Sequence, residues 1–165
     1  MESAELKEKL VDYTQNAHAM ERKVKMMLGS MISTTEDPEI KRILEHHHEE
    51  TQRHEKLLAE RLEAMGEGTS TTKDVVAIGG AALKGLVDAA PRDKPGRNAR
   101  DGYVTEHLEI ASYELLERLA LRAGDQATAE VAKRNCADER AMAEKIEQNW
   151  EKFLELSLQE EKVAT

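Results

Sequence analysis

Five glutamates, Glu21, Glu50, Glu106, Glu109 and Glu139, fall on the apolar stripes of long helical patterns, where leucine or alanine would be expected. An isolated ionised carboxylate inside a helical bundle costs several kcal/mol even after relaxation. Several of them facing one another would oppose folding unless positive charge sat among them. Divalent metal is the most economical source of that charge.

The rest of the chain agrees with such a bundle. Charged residues make up 35% of the sequence, aromatics only 3%, and there are three prolines, while Ala, Leu, Glu, Lys and Arg dominate. That balance suits long helices rather than strands, and the fold class expected is all-α. At 165 residues the chain is long enough for one domain with a real core and short for two of ordinary size.

Hydrophobic periodicity and end signals divide it into four long helices. The first is expected over about 3–32, from Ser3 as N-cap, with Leu6, Leu10, Thr14, Ala17, Glu21, Val24, Leu28 and Met31 on one face. Asp37-Pro38 reads as a cap followed by proline at the first helical position, and opens a second helix over 38–65 that Gly66 stops. Its stripe is Ile40, Ile43, His47, Glu50, His54, Leu57, Leu58 and Met65. A third helix over 99–123 carries Gly102, Glu106, Glu109, Tyr113, Leu116 and Ala120, and ends at Gly124. Asp125 caps a fourth, over 126–160, with Ala129, Ala132, Cys136, Glu139, Met142, Ile146, Trp150 and Phe153 inward. Between the second and third lies a connection over 66–97, whose apolar centre predicts a short fifth helix over 73–89. A single long crossover at that point is the connectivity of ferritin-like four-helix bundles.

Several function classes are disfavoured. A net charge of −9 without a separate basic cluster argues against a nucleic-acid partner. The most apolar stretch, residues 75–90, contains Lys84 and Asp88 and is shorter than the roughly 20 residues needed to cross a bilayer. No membrane partner is expected. One cysteine, Cys136, excludes an intramolecular disulfide framework, and the start MESAELKEKL lacks a secretory core, so a cytoplasmic location is expected.

Metal sites in bundles of this connectivity take one glutamate from each of two helices and Glu-x-x-His from each of the other two. This chain follows the rule in part. Glu21 is the carboxylate of the first helix; Glu50 is that of the second, flanked by His47 and His54; Glu106 and Glu109 come from the third and Glu139 from the fourth. The literal Glu45-x-x-His48 shares a phase with Lys41, Gln52 and Glu55, the solvent face, and Met142 stands three residues after Glu139. The expected ligands are therefore Glu21, His47, Glu50, His54, Glu106, Glu109 and Glu139, carboxylate-rich with one or two histidines. Such a donor set suits two divalent ions, iron first, manganese or zinc as alternatives, and the absence of neighbouring thiolates argues against structural zinc. The competing explanation is plain solvation, since exposed glutamates on long helices commonly pair with Lys or Arg. Tyr113, Trp150 and Cys136 read as core residues.

The same residues carry a family likeness. EHLEIASYELLERLALRAG in the third helix and AKRNCADERAMAEKI in the fourth, with HHEET at 47–51 and AMERKV around Glu21, resemble the bacterial YciF-like group of ferritin-like stress proteins. A tract of the form Glu-His-x-Glu-Ile-Ala-Ser-Tyr is typical of that group. The resemblance implies a dimeric ferritin-like bundle with a dinuclear metal site, a stress association, and Glu21, Glu50, Glu106, Glu109 and Glu139 as ligands. The paired glutamates are also similar to rubrerythrin-like sites, in which an extra carboxylate takes the role of a histidine. Gln52 stands where some relatives have histidine, and His54 where they often have glutamine, which leaves the nitrogen ligand open.

Two functions follow as expectations. One is redox chemistry at two irons or manganeses on peroxide or dioxygen, with an external reductant, since no electron-transfer domain is recognisable. The other is a non-catalytic dimeric stress or interaction protein whose site is structural or vacant. The sequence alone assigns no catalytic residue.

Overall fold

The computed structural model describes residues 3–69 and 94–163. They form five helices: α1 (Ser3–Thr34), α2 (Pro38–Ala64), α3 (Lys94–Ala123), α4 (Gln126–Glu147) and α5 (Trp150–Val163). The short helix expected over 73–89 lies outside the described residues. No described helix is long and apolar enough to cross a membrane.

Short loops make α1 and α2 one antiparallel pair and α3 and α4 the other, and the pairs meet α1 against α3 and α2 against α4. Arg61, near the end of α2, bonds to Asp125 before α4, while Glu39 at the start of α2 meets Lys152 in α5. The α2 and α4 directions are thus opposed, so α2 and α3 run the same way. That shared direction of the second and third long helices is the ferritin-like arrangement.

Capping chemistry sets the helix ends. Asp37 accepts from the amides of Glu39 and Ile40 at 3.0 and 2.9 Å, with Pro38 at the first helical position where its missing N–H costs nothing. Gly66 and Gly124, at φ of 80° and 77°, take the left-handed conformation beyond α2 and α3. At both ends the next amide reaches back to a last-turn carbonyl, Glu67 to Leu62 and Asp125 to Ala120, each at 2.9 Å.

Three boundaries and faces differ from expectation. The α3 helix begins at Lys94, not near residue 99: Pro95 is tolerated in a first turn, and the Gly96 amide donates to Ser157 Oγ at 2.9 Å. The expected fourth helix is interrupted after Glu147, where Asn149 turns its side-chain amide onto the Lys145 carbonyl at 2.7 Å. That competition with the backbone is typical of asparagine and gives two helices instead of one. Trp150 is consequently 40% exposed rather than inward.

The α2 stripe also shifts. Its buried residues are Ile40, Leu44, His47, Thr51, His54, Leu58 and Leu62, so Thr51 rather than Glu50 occupies the middle of the inward face. On α1 and α3 the inward faces include Thr14, Ala17, Glu21 and Val24, and Gly102, Glu106, Glu109 and Tyr113. The polar residues of all four long helices therefore meet at mid-length, between apolar layers at the two ends.

Asp125 joins two elements at once. It accepts from the Thr128 amide at 2.9 Å, from the Thr128 hydroxyl at 2.7 Å, and from Arg61 at 3.1 and 3.2 Å. Partial burial opposes its ionisation, but Thr128 and Arg61 outweigh it and hold the carboxyl below its usual range. An acid with a depressed folded-state pKa stabilises above its unfolded value of about 3.9, and the gain is lost as pH falls through the folded value. Asp125→Ala should cost about 1–2 kcal/mol in urea unfolding at pH 7 and much less at about pH 2.5. An equal loss at both pH values would refute the ionised cap.

Candidate metal centre

At mid-bundle, ligand atoms of His47, Glu106, Glu109 and Glu139 lie within 4.8 Å of one another, and so do those of Glu21, His54 and Glu139. Glu139 belongs to both groups. One of its oxygens lies 3.3 Å from His47 Nε2 and the other 2.9 Å from His54 Nδ1. His47 Nε2 is also 3.2 Å from Glu106, and His54 Nδ1 is 3.6 Å from Glu21. All six side chains are essentially sealed from solvent, at 0–1% exposure.

These atoms stand at ion-pair distance but outside hydrogen-bond geometry. Glu21 Oε2, His47 Nε2, His54 Nδ1, Glu106 Oε2 and both oxygens of Glu109 and Glu139 are buried without a hydrogen-bond partner. Each such atom costs on the order of 1–3 kcal/mol, and more where charged, unless something else engages it. The lone pairs and the inner ring nitrogens crowd a common interior instead of pairing in hydrogen-bond geometry. A donor set of carboxylate oxygens and imidazole nitrogens so arranged fits divalent cations.

Each imidazole is steered from its outer nitrogen. His47 Nδ1 lies 3.2 Å from Glu50, and His54 Nε2 lies 3.0 Å from Asp138, which Arg53 holds at 2.9 Å. Carboxylates behind a histidine fix its tautomer and ring orientation. The Tyr113 hydroxyl donates to Glu21 Oε1, and Asn135 Nδ2 donates to that hydroxyl at 3.0 Å. Burial and the charges of Glu21 and Glu139 raise the Tyr113 pKa well above its ordinary value, so it stays a donor.

Of the seven residues expected as ligands, the structure brings together Glu21, His47, His54, Glu106, Glu109 and Glu139 and leaves Glu50 outside both groups. Glu50 lies about 60° around α2 from His47, is 12% exposed at its side chain, and turns to His47 and His46. Asp138 and the Tyr113–Asn135 pair escaped the sequence reading. Asp138 adjoins Glu139, so its phase marks it as flanking, and only the crossing of α2 and α4 brings it to His54. Tyr113 was legible as buried, but its partner on α1 was not. Cys136 is buried with Sγ 3.8 Å from the Ile110 carbonyl and belongs to neither group.

Without bound cations the cluster retains protons. Burial, followed by the charges of Glu139, Glu21 and Glu106, pushes Glu109 well above the usual carboxylate range. Burial likewise raises Glu139 to about 7, against the lowering effect of the histidines. For His54, burial acts downward, but Glu139 and Glu21 outweigh it and raise the pKa to about 10. His47 is raised by Glu106, Glu50 and Glu139 against the same opposition.

A family profile described as "Domain of unknown function (DUF892)" matches residues 5–161. The chain belongs to this family. A crystal structure of a protein from Xanthomonas campestris pv. campestris is similar at 31% identity, covering 96% of this chain and 99% of the other, with a TM-score of 0.80. The E. coli stress protein YciF is similar at 18% identity and TM-score 0.78, covering 91% and 97%. The bacterioferritin of Desulfovibrio desulfuricans, whose structure is described by its diiron site, aligns at 18% identity and TM-score 0.76, covering 95% and 86%. The DUF892 chain thus has a YciF-like, ferritin-like fold, and its buried carboxylate and histidine cluster is compatible with metal binding.

The proton affinities give the metal-free protein a definite pH dependence. His54 contributes stability in full below its unfolded pKa of about 6.5, and that contribution is lost as pH rises to about 10. Glu139, raised to about 7, holds its proton more tightly folded than unfolded, so stability falls as pH rises from about 4.3 to 7. Both slopes have one sign. The melting temperature of chelator-treated protein should decrease from roughly pH 5 to pH 9, and a flat or rising profile would contradict this electrostatic picture.

Proposed function

We propose that the protein binds two divalent metal ions, iron first and manganese next, and uses them for redox chemistry on peroxide or dioxygen. The observation that carries this reading is the set of buried, unpartnered ligand atoms on Glu21, His47, His54, Glu106, Glu109 and Glu139. His47, Glu106 and Glu109 would hold one ion, Glu21 and His54 the other, and Glu139 both. A pair of such ions supplies two one-electron changes and a Lewis-acidic site for an oxygen substrate.

The chain's own residues supply the remaining functions. Sealed at mid-bundle, the six side chains keep bulk water from the reacting centre. Glu50 and Asp138 hold the outer imidazole nitrogens, so that His47 presents Nε2 and His54 presents Nδ1 inward. Tyr113 restrains one oxygen of Glu21 and leaves the other free. Glu109 has neither oxygen engaged and a strong hold on its proton, which suits it to carry a proton at the site.

The donor types support iron or manganese over copper, since the thiol Cys136 stands apart. An external reductant would return the ions to their reduced state. We extend the stress setting of E. coli YciF to this chain, with a cytoplasmic location. Exposed Val104 and Leu115 on α3 and Leu154 and Leu158 on α5 support a homodimer.

Metal content per chain, measured by mass spectrometry on tag-free protein grown with iron and manganese, tests this reading. Wild type should hold roughly two equivalents. Glu139→Gln should lose most of both, and Glu109→Gln about one. Glu50→Gln should retain the stoichiometry but weaken affinity about 10–100-fold, as expected of an orienting residue. Wild type that folds stably and stays metal-free would overturn the proposal. Two bound ions without consumption of peroxide or dioxygen would leave a structural site.

A further inference from the structure

The six side chains of the candidate centre are sealed at 0–1% exposure, so an ion that reaches them must first pass a residue that is not. Among the described residues, two partly exposed carboxylates touch a histidine of the cluster, and each joins it to a further side chain at the surface. Glu50, 12% exposed at its side chain, has Oε2 3.2 Å from His47 Nδ1 and Oε1 3.2 Å from Nε2 of His46, which is 58% exposed. Asp138, 26% exposed, has Oδ2 3.0 Å from His54 Nε2 and 2.9 Å from Arg53, which is 41% exposed.

The two outlets differ at their outer ends. Arg53 sets a fixed positive charge over Asp138 and has no lone pair to offer, so that end repels a divalent ion and cannot ligate it. His46 offers instead an imidazole nitrogen, a common donor to divalent metals, beside a carboxylate oxygen. The three consecutive histidines 46–48 thus have separate surroundings: His46 stands on Glu50, His47 faces the centre, and His48 lies 3.2 Å from Gln52 on exposed surface. From solvent inward the donors run from His46 Nε2 to the two oxygens of Glu50, to the two nitrogens of His47, and then to Glu106 and Glu139. No step between residues exceeds 3.3 Å. Exposure falls along the same order, from 58% to 12% to 0%.

We propose that His46 and Glu50 form the surface landing site through which divalent cations enter and leave the centre, Glu50 passing each ion to the ligands behind His47. The inference rests on the metal-binding reading of the six residues and adds to it a route. His46 holds an ion only in transit, so it governs how fast the centre fills and empties and not how tightly it holds. Glu50 has two tasks, orienting His47 and receiving the ion, which makes His46 the position to test.

Stopped-flow loading of tag-free, metal-free protein with Co²⁺, followed by its visible absorption, measures entry, and release is followed after addition of excess EDTA. His46→Ala should slow loading and release alike, each about tenfold, because it raises the barrier between the two states and leaves their difference unchanged. Stoichiometry and Kd for Co²⁺ should therefore match wild type. His46→Lys, which sets a fixed cation before Glu50, should slow both steps further, and His48→Ala should load at the wild-type rate. All three positions lie outside the core, and circular dichroism checks that the variants fold. Loading by folded His46→Ala at the wild-type rate would overturn the route. So would slower loading with unchanged release and a weaker Kd, which would make His46 a support for His47 instead. Wild type that takes up no Co²⁺ would sink the metal reading and the route together, whereas uptake indifferent to His46 would sink the route alone.

Discussion

The structure turns on Glu139. Its two oxygens lie against two histidines of one helix, and around it stand three further buried glutamates. So much like charge in a water-free interior is adverse to folding unless it is neutralised, by retained protons or by cations. Other features of the bundle follow from that requirement. Small polar residues are buried beside the cluster, Thr51 between the two histidines of α2 and Thr105 next to Glu106, and the remaining core is mostly leucine, isoleucine, methionine and alanine. Crossing points of α2 with α4 and of α1 with α3 are fixed by paired polar groups, His54 with Asp138 and Glu21 with Tyr113.

The general pattern for bundles of this type distributes four carboxylates and two histidines evenly over two helix pairs. This chain reaches the same donor composition by another route, four glutamates and two histidines, with both histidines on α2 and two glutamates on α3. His47 and His54 are seven residues apart, which brings them back to nearly one face while separating them by roughly 10 Å along the axis. One helix can then serve both groups. Glu139 is the link, since α4 contributes no histidine to either group and its single carboxylate stands between them. The two groups receive one histidine each despite the uneven origins.

Much of this was legible in the sequence. Cap residues Asp37 and Asp125 and the stops Gly66 and Gly124 mark helix ends because their chemistry is local. Carboxylates on apolar stripes are legible because periodicity exposes a residue that does not belong. Legibility ended where position depends on a small rotation or on a partner helix. Glu50 and Thr51 are adjacent candidates for the same inward phase, and only packing against α1 and α4 chooses Thr51. Asp138 carries no sign in its own helix that it will back a histidine 84 positions away. Asn149 looks like any helical residue until its side chain takes the Lys145 carbonyl and breaks the expected helix.

The two halves of the cluster differ in freedom, and this bears on what the centre can do. Glu21 is held at one oxygen by Tyr113, which Asn135 holds in turn. Glu109 is equally buried but has both oxygens unengaged, next to Glu106 on the same helix. A carboxylate that must change coordination or proton load needs open lone pairs and room; one that must define position needs a fixed partner. Restraint therefore lies on the α1 side and adaptability on the α3 side. Carboxylate movement would then fall to Glu109, while the Glu21–Tyr113–Asn135 chain keeps the rest of the centre in register.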